Sequence, residues 1–250
     1  MLGTLFIGQN HISLASVDST NSFAKDLLTK EHPPEGTIIS ATTQLKGRGQ
    51  AGNTWAAEGG KNLTVSYILY PNFLEAAQQF YLNMAISLAV KDCCEEQTGG
   101  EFSIKWPNDI YYGDRKVAGI LIENTISGSS IASSVVGIGL NANQEEFDEN
   151  LLNPVALAEI SKLDFDLNKL RDSLSTYIEK YYLQLRQKHY NFLDKAYTVS
   201  LYRYQQTHEF KKGTAIIKGE INGVTKEGKL ILHSQGKEHR FAFKEVEFVI

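Results

Sequence analysis

Four short segments between residues 102 and 140 commit the middle of the chain to β-structure. They read FSIKW, IYYG, KVAGILIE and IASSVVGIGL, and their apolar alternation and brevity favour strands over helices. A turn signal at Gly113 and Asp114 separates the second segment from the third. Any fold of this chain must therefore place these segments in a sheet.

Helical and strand-like patterns also precede and follow this region. Residues 74–96 carry apolar side chains at helical spacing, and glycines 99 and 100 terminate that helix. A second apolar stripe, from Leu167 to Leu185, predicts the last helix of the main part of the chain. The other predicted elements are strands over residues 12–17, 36–43 and 63–70 and a helix that begins at DSTN, residues 18–21.

The C-terminal part of the chain has a different pattern. After about Leu201, short β-rich runs alternate with KG, NG, EG and QG turns, and this spacing is typical of a small barrel. The change falls near residues 195–205. We therefore predict a main domain over residues 1–198 and a small β-barrel domain over residues 199–250.

The composition describes a chain that packs a core and carries no excess of basic charge. Hydrophobic residues make up 42% of the chain and charged residues 22%, and the formal net charge is −4. Without an excess of Lys and Arg, the chain would gain little affinity from counterion release on binding a polynucleotide, so we expect no nucleic acid ligand. Residues 1–10 lack the features of a signal peptide, and no run of eighteen apolar residues occurs. We expect a cytoplasmic protein that does not span a membrane.

Cysteine and histidine usage offers no credible nucleophile or metal site. The only cysteines, Cys93 and Cys94, are neighbours in the predicted helix at residues 74–96. That position argues against a disulfide framework or a zinc site and favours burial. The six histidines are scattered without metal-ligand spacing. The absence of a disulfide pattern fits a reducing cytosol.

GRGQAGNTW, residues 47–55, joins two predicted strands and contains one permanent cation. Arg48 lies between Gly47 and Gly49, so backbone amides can approach a ligand closely while the guanidinium reaches its oxygens. Such a loop suits a carboxylate or a phosphate. On this motif alone, a surface loop with a solvated arginine is an equal alternative, with Trp55 closing the loop onto the core.

The pentapeptide KWPND places a cation and a carboxylate next to a break in the chain. Pro107 forces the backbone out of the predicted strand just after Lys105, and Asn108 and Asp109 follow. The lysine ammonium is able to follow a phosphoryl group, and Asp109 is a candidate Mg²⁺ ligand. The alternative is a strand end with an Asx-turn at Asn108. Lys116 is either a further ligand-facing cation or an edge-strand lysine.

GIGLNA, residues 137–142, matches the relaxed dinucleotide fingerprint G-x-G-x-x-A after a predicted strand. It fails as a dinucleotide site, because NANQEEFDENLLNP behind it has no apolar helical stripe and no repeated βαβ unit surrounds it. Asn141 and Asn143 are instead polar groups at a strand end, which bond a nucleotide or cap a turn. No G-x-x-x-x-G-K-S/T loop exists either, so any nucleotide binds by another design.

Five stretches of the sequence, taken in order, resemble the biotin protein ligases. They are DSTN at 18–21, Gln44 with GRGQAGNTW at 47–55, KWPND at 105–109, KVAGILIE at 116–123 and GIGLNAN at 137–143. The resemblance covers about residues 12–145 and continues with the expected small C-terminal domain. It implies an α+β fold of the class II synthetase-like biotin/lipoate ligase type. In that fold a mixed, largely antiparallel sheet packs with helices and is followed by a small SH3-like β-barrel.

The resemblance implies an acyl-adenylate reaction in two steps. Such a ligase joins the biotin carboxylate to the α-phosphate of ATP, releases pyrophosphate, and then passes biotin from biotinyl-5′-AMP to a specific lysine of a biotin carboxyl carrier protein. It implies biotin and ATP with Mg²⁺ as substrates, no bound redox cofactor and no covalent nucleophile. The implied partner is the carrier domain of a biotin-dependent carboxylase such as acetyl-CoA carboxylase, served by a monomeric or homodimeric ligase.

The same resemblance assigns roles to individual residues. Ser19, Thr20, Asn21, Gln44, Arg48, Gly49, Gln50 and Lys105 are expected to bind biotin. Gly47, Arg48, Trp55, Asn108, Lys116 and Asn141 are expected near the nucleotide, and Asp109 near Mg²⁺. The expected catalytic residues are Lys105 and Arg48.

Two features depart from the family pattern. Gln50 stands where many members carry a second loop arginine, so phosphate contacts rest more heavily on Arg48 and Lys105. Only about ten residues precede the first predicted strand, and we expect no N-terminal helix-turn-helix module and no repressor function. The loop glycines predict that the loop orders when biotinyl-adenylate binds. Two other functions remain as alternatives, a lipoate or octanoate–protein ligase and a non-catalytic biotin-binding protein.

Overall fold

The structure, a computed structural model, describes residues 3–151 and 153–249. Its strands are β1 (His11–Val17), β2 (Thr37–Gln44), β3 (Leu63–Leu69), β4 (Ser103–Lys105), β5 (Asp109–Tyr112), β6 (Arg115–Ser127), β7 (Ser130–Leu140), β8 (Thr207–Lys212), β9 (Ala215–Val224), β10 (Leu230–Ser234), β11 (Lys237–Phe241) and β12 (Glu247–Phe248). Its helices are α1 (Thr20–Lys30), α2 (Phe80–Thr98), α3 (Leu157–Ser161), α4 (Leu167–Arg186) and α5 (Tyr190–Val199). The predicted α+β class is confirmed.

Seven strands form the main sheet, in the order β1-β2-β3-β7-β6-β5-β4. β1 and β2 run parallel, and helix α1 provides the crossover that a parallel pair requires. The other neighbouring pairs are antiparallel, and short turns join β5 to β6 and β6 to β7. The sheet is therefore mixed and largely antiparallel, as predicted.

The two faces of the main sheet carry different helices. In β3, Val65 and Tyr67 belong to a large core cluster that includes residues of α2, α4 and α5, whereas Ile68 belongs to a smaller cluster with α1. This alternation follows from the period of two along a strand. Helix α1 thus lies on one face and the larger helical layer on the other. No helix in the two described ranges is long and apolar enough to cross a membrane.

Helix α2 lies within the large core. Cys93 and Cys94 are both buried in it, as predicted. Burial raises the pKa of the Cys93 thiol to about 12 and also raises the pKa of Cys94, so neither residue supplies a thiolate at neutral pH. Gly99 ends the helix with a φ of 70°, in the left-handed region, as expected of a glycine that follows the last helical residue.

The prediction that α4 is the last helix of the main part is wrong. Helix α5 follows after a break at Lys188, whose φ is 59°. With ten residues, α5 has only a short apolar stripe, which periodicity does not distinguish from a connecting segment. The helix predicted from residue 74 begins only at Phe80. The residues before it include a separate 3₁₀ turn at Ala76–Gln78.

The C-terminal part forms a five-stranded antiparallel sheet in the order β11-β10-β9-β8-β12. Within the described residues no ladder joins β11 to β12, so the sheet is open and the predicted barrel is not closed. β12 contains only two residues, which leaves little backbone for closure. The Ile104 amide on β4 donates a hydrogen bond to the Ser200 carbonyl (2.7 Å), and the Tyr202 amide donates to the Ile104 carbonyl (2.9 Å). One apolar cluster also contains residues of both the main sheet and the C-terminal sheet. The domain division at residue 198 stays a prediction.

Glu179 on α4 anchors the N-terminal segment of the described chain. Its buried carboxylate accepts hydrogen bonds from the backbone amides of Leu5 (2.6 Å), Phe6 (2.9 Å) and Ile7 (3.0 Å). The side chain of Ile7 then packs into the large core. A buried carboxylate thus satisfies backbone donors that lie outside any helix or strand.

We predict that Glu179→Ala lowers the free energy of unfolding by about 2 to 4 kcal/mol, because the anchored amides lose their acceptor. Chemical denaturation measures this change. Lys169→Ala, at an exposed position of the same helix, is the control and should cost less than about 0.5 kcal/mol. Equal losses for the two variants would contradict the anchoring role.

Candidate active site

A cleft of about 410 Å³ lies on the α1 face of the main sheet. Its walls combine the start of α1, the loop after β2, the KWPND segment, strands β6 and β7 and the end of the C-terminal sheet. The lining residues described below are Ser19, Thr20, Asn21, Gln44, Arg48, Gly49, Gln50, Trp55, Lys105, Asn108, Asp109, Lys116, Gly119, Leu121, Gly137, Gly139 and Phe248. Segments far apart in the sequence therefore meet in one cavity.

The start of α1 presents a set of polar groups that orient one another. Ser19 caps the helix and accepts a hydrogen bond from the amide of Ser22. The side-chain oxygen of Gln44 accepts hydrogen bonds from the amide (2.8 Å) and the hydroxyl (3.0 Å) of Thr20. Ser66 on β3 places its Oγ 2.8 Å from Thr20 Oγ1. These side chains are thus held in place by the protein itself.

The amide of Asn21 is fixed on every side. Its Nδ2 donates to the Leu121 carbonyl (3.2 Å) and to the Glu123 carboxylate (3.0 Å), and its Oδ1 lies 2.6 Å from Ser66 Oγ. A Cβ at residue 137 would lie 2.2 Å from Asn21 Oδ1. Gly137 is therefore needed for Asn21 to lie against the sheet.

The loop at residues 47–55 folds back on itself as a narrow hairpin. The Trp55 amide donates to the Gly47 carbonyl (3.0 Å), and the Gly49 amide donates to the Asn53 carbonyl (2.7 Å). A Cβ at residue 47 would meet the Trp55 carbonyl oxygen at 2.2 Å. Gly47 is therefore required for the closure of the loop on itself.

The Trp55 indole packs over glycines of two neighbouring strands. A Cβ would lie 2.2 Å from the indole at Gly139 and 3.2 Å from it at Gly119. Three side-chain polar atoms of the described residues are buried without a hydrogen-bond partner, and two of them, Trp55 Nε1 and Gln50 Oε1, belong to residues that line the cleft. Since buried polar groups are normally paired, a ligand in the cleft would satisfy this donor and this acceptor.

The two glycines of GIGLNA at 137 and 139 thus make room for side chains of the site. Strand β7 ends at Leu140, and the next helix, α3, begins only at Leu157. In the described residues between these two elements no helix begins, so the glycines do not lead into a helix N-terminus that could bind a pyrophosphate.

Arg48 forms a close ion pair with a carboxylate on β6. Its Nη2 lies 2.6 Å from Glu123 Oε2, and Lys25 Nζ lies 3.0 Å from the other oxygen. Burial raises the pKa of Glu123, but hydrogen bonds from Asn21 and Lys25 and the charge of Arg48 outweigh burial and hold that pKa below its usual range. Glu123 is thus an anion at neutral pH.

Lys105 lies between two aromatic rings. Its Nζ donates to the hydroxyl of Tyr111 (3.1 Å) and lies 4.9 Å from the centre of that ring and 5.5 Å from the Phe248 ring. Burial is the main cause that lowers the pKa of Lys105, and the charge of Asp109 partly opposes the shift. The ammonium is therefore less solvated than that of a surface lysine.

Asp109 and Lys116 form a second ion pair beside Lys105. Lys116 Nζ lies 2.7 Å from Asp109 Oδ1 and 5.8 Å from the centre of the Trp55 ring. Asn108 donates a hydrogen bond to the carbonyl of Ile120. In residues 3–151 and 153–249 no group of three or more His, Cys, Asp or Glu is arranged to hold a metal ion. Asp109 thus offers one carboxylate, which suits a cation that keeps other oxygen ligands.

The structure brings most of the predicted site residues into the cleft. These are Ser19, Thr20, Asn21, Gln44, Arg48, Gly49, Gln50, Trp55, Lys105, Asn108, Asp109 and Lys116. Gly47 and Asn141 do not line it. Asn141 is buried, and its amide donates to the carbonyls of Lys116 (3.4 Å) and Val155 (3.3 Å). The ligand contacts assigned to all of these residues stay predictions.

The sequence did not point to one wall of the cleft. Phe243, Lys244, Val246, Glu247 and Phe248 line it from the C-terminal sheet. No local motif marks these residues, because their place depends on how that sheet docks. Docking includes a hydrogen bond from Trp106 Nε1 to the Gly228 carbonyl (2.9 Å). Glu123 was also missed, although it closes the motif KVAGILIE.

A model of the biotin/lipoate A/B protein ligase family matches residues 13–141, just over half of the chain. The chain belongs to this family. The matched span runs from β1 to the residue after β7 and contains every cleft residue except those of the C-terminal wall. The resemblance stated from the five motifs is confirmed.

Similar proteins extend this finding. The bifunctional ligase/repressor BirA of Bacillus subtilis is 35% identical over 148 residues, which cover 59% of this chain and 45% of BirA. The biotin–[acetyl-CoA-carboxylase] ligase of Paracoccus denitrificans is 28% identical over 243 residues, covering 94% and 99% of the two chains. The biotin protein ligase of Aquifex aeolicus in complex with biotin and ATP has a TM-score of 0.81 and 27% identity over 96% of this chain and 99% of that one. This chain thus spans less than half of the length of the Bacillus relative.

We predict that Gly139→Ala displaces the Trp55 indole, because a Cβ has no space there. The chain has only two tryptophans, so a change in intrinsic fluorescence and in its quenching by acrylamide reports the displacement. Gly3→Ala is the control, since its Cβ would meet nothing within 4 Å. Spectra of Gly139→Ala that match the parent would show that Trp55 does not pack over β7.

Proposed function

We propose that this protein is an ATP-dependent biotin–protein ligase. It activates biotin to biotinyl-5′-AMP with release of pyrophosphate and then transfers biotin to a specific lysine of a biotin carboxyl carrier protein. The observation that carries the proposal is the single cleft in which the polar start of α1 meets Arg48 and Lys105 from two other segments. The names of the Paracoccus and Aquifex relatives support the choice of biotin and ATP.

The biotin head group binds at the start of α1 in this proposal. Its ureido ring offers two N–H donors and one carbonyl acceptor, and Ser19, Thr20, Asn21 and Gln44 present hydroxyl and amide groups of both kinds. Three of these residues, Ser19, Thr20 and Asn21, are each 3% exposed. Because the groups are already oriented by one another, little side-chain entropy is lost when the ring enters.

Lys105 and Arg48 act on the carboxylate end. In the first step a biotin carboxylate oxygen attacks the α-phosphorus of ATP, and the bond to the pyrophosphate oxygen breaks with its electron pair leaving on pyrophosphate. Lys105 stabilises the charge that builds on the α-phosphoryl oxygens, a role that contributes about 3 to 4 kcal/mol for one well-placed donor. Arg48, with Gly49 and Gln50 beside it, holds the carboxylate and then the adenylate.

The second step needs no covalent enzyme intermediate. The amine of the acceptor lysine attacks the acyl carbon of biotinyl-5′-AMP, AMP leaves with the bonding electrons, and the amine proton passes to solvent. The amide that forms is the biotinylated lysine. The high pKa of the buried Cys93 thiol agrees with a mechanism that uses no protein nucleophile.

The nucleotide lies beside Trp55, Asn108 and Lys116 in this proposal. Mg²⁺ would enter with ATP as part of the substrate, and Asp109 would be the carboxylate beside it. Gly47 and Asn141 act without lining the cleft. Gly47 allows the loop to close on itself, and Asn141 holds the backbone at Lys116 through a hydrogen bond to its carbonyl. The loop at residues 47–55 closes further over biotinyl-adenylate and excludes water.

The partner is the biotin carrier domain of a carboxylase such as acetyl-CoA carboxylase. The proposed place of action is the cytoplasm, where such carriers meet ATP. The ligase acts as a monomer or a homodimer, without a nucleic acid or membrane partner.

The direct test is incubation of the full chain with ATP, Mg²⁺, biotin and a biotin carboxyl carrier domain. We predict a gain in carrier mass equal to one biotinyl group, together with pyrophosphate release that requires biotin. Lipoate in place of biotin should give no modification and no thermal stabilisation. Modification by lipoate alone would make the protein a lipoate ligase, and biotin binding without pyrophosphate release would make it a binding protein.

We predict that the rate of adenylation falls at alkaline pH as Lys105 loses its proton, and that this fall begins below the pH at which an ordinary lysine titrates. The sign follows because burial lowers the pKa of Lys105 and only its protonated form neutralises the phosphoryl charge. Single-turnover pyrophosphate release measures the rate. Lys105→Arg should move the fall to higher pH, since arginine keeps its proton.

The charge itself is tested by Lys105→Ala, which should slow adenylation about 10²- to 10³-fold. Lys195→Ala, at an exposed position on α5, is the matched control and should behave as the parent. An adenylation rate for Lys105→Ala within about threefold of the parent would remove Lys105 from the mechanism.

A further inference from the structure

We propose that Glu123 is a positioning residue for biotin activation, because one carboxylate fixes both Asn21 and Arg48. This inference rests on the proposed function. Asn21 belongs to the proposed head-group site and Arg48 to the proposed carboxylate site. Glu123 thereby sets the distance and orientation between the two ends of the biotin pocket.

The place of Glu123 in β6 directs it to the site. Its Cα lies opposite Val135 in the ladder with β7. Side chains two residues apart on a strand share a face, and Gly119 and Leu121, four and two residues before Glu123, line the cleft. The Glu123 side chain is 22% exposed and does not itself line the cleft, so it acts through the lining residues Asn21 and Arg48 that it contacts.

One oxygen of Glu123 serves two donors at once. Its Oε2 accepts from Asn21 Nδ2 at 3.0 Å and from Arg48 Nη2 at 2.6 Å. The other oxygen, Oε1, accepts from Lys25 Nζ at 3.0 Å. Charge-assisted hydrogen bonds of this kind are shorter and stronger than neutral ones. The carboxylate is thus the physical link between helix α1 and the loop after β2.

The contact decides which way round the Asn21 amide lies. With Nδ2 directed to the Leu121 carbonyl and to Glu123, both of its protons are used, and Oδ1 faces Ser66 and the space left by Gly137. An amide turned over would place its oxygen against a carbonyl and a carboxylate. Glu123 therefore fixes Asn21 as an acceptor toward the cleft.

The ion pair with Glu123 also restrains the Arg48 side chain without using all of its hydrogen-bond donors. A guanidinium has five N–H donors, and the ion pair with Glu123 uses one nitrogen, Nη2. The remaining donors are available for the carboxylate and phosphate oxygens of the ligand. Holding a long side chain in place removes part of the entropy that ligand binding would otherwise cost.

The test compares Glu123→Gln with Lys30→Ala in the full chain. Glutamine keeps the shape of Glu123 and removes its charge, whereas Lys30→Ala removes a charge from an exposed position in the last turn of α1, away from the cleft. We expect Glu123→Gln to raise the KM for biotin in pyrophosphate release roughly tenfold, with kcat at saturating biotin changed less than about threefold. Biotin Kd by calorimetry should rise in parallel, and Lys30→Ala should leave both constants unchanged.

A double-mutant cycle supplies a readout that a purely structural effect would not give. If Glu123 acts through Arg48, then Glu123→Gln added to Arg48→Gln should weaken biotin binding far less than it does in the parent. Additive losses would overturn the proposal. Tighter biotin binding by Glu123→Gln would also overturn it, because Glu123 would then compete with the ligand for Arg48.

The outcome is separable from that of the proposed function. A parent chain that neither binds biotin nor releases pyrophosphate contradicts the ligase itself. A parent that does both, beside a Glu123→Gln variant with unchanged KM and Kd, contradicts the role of Glu123 alone. Circular dichroism confirms the fold of each variant, and Glu123→Asp, which keeps the charge, should recover part of the lost affinity.

Discussion

The site depends on three glycines of the main sheet, because their lack of a Cβ lets other side chains lie directly against one face of that sheet. Gly119, Gly137 and Gly139 lie on the face of β6 and β7 that carries α1. At 137 and 139 a Cβ would fall 2.2 Å from Asn21 and from Trp55 respectively. Larger residues would lift both side chains away from the sheet. The glycines thereby let a helix start and a loop meet over the same strands.

The second contribution comes from the C-terminal sheet, which supplies a wall that the main sheet lacks. Its Phe248 ring and Tyr111 of the main sheet lie on Lys105, so the environment of the proposed catalytic ammonium is built by both parts of the chain. The hydrogen bond from Trp106 to Gly228 holds the two parts together one residue beyond Lys105. The C-terminal sheet is therefore part of the cleft and not only a cover for apolar surface.

Much of this arrangement could be predicted from the sequence where the signal is local. Alternating apolar residues gave the strands, and the hydroxyl of Ser19 gave the helix start, because alternation and capping act within a few residues. Contacts between distant residues could not be predicted. The pair of Arg48 and Glu123 joins positions 75 residues apart, and Phe248 reaches Lys105 only after the C-terminal sheet has docked. Helix α5 was missed because its apolar stripe is short.

The proposed chemistry requires two cations from separate segments to converge where a carboxylate oxygen meets the α-phosphorus. A crystal structure with a non-hydrolysable biotinyl-adenylate analogue would show where both cations lie. We predict that Lys105 Nζ and the Arg48 guanidinium lie within about 3.2 Å of oxygens of the acyl-phosphate link, with the ureido ring at the start of α1. An analogue bound with either cation directed into another part of the protein would contradict it.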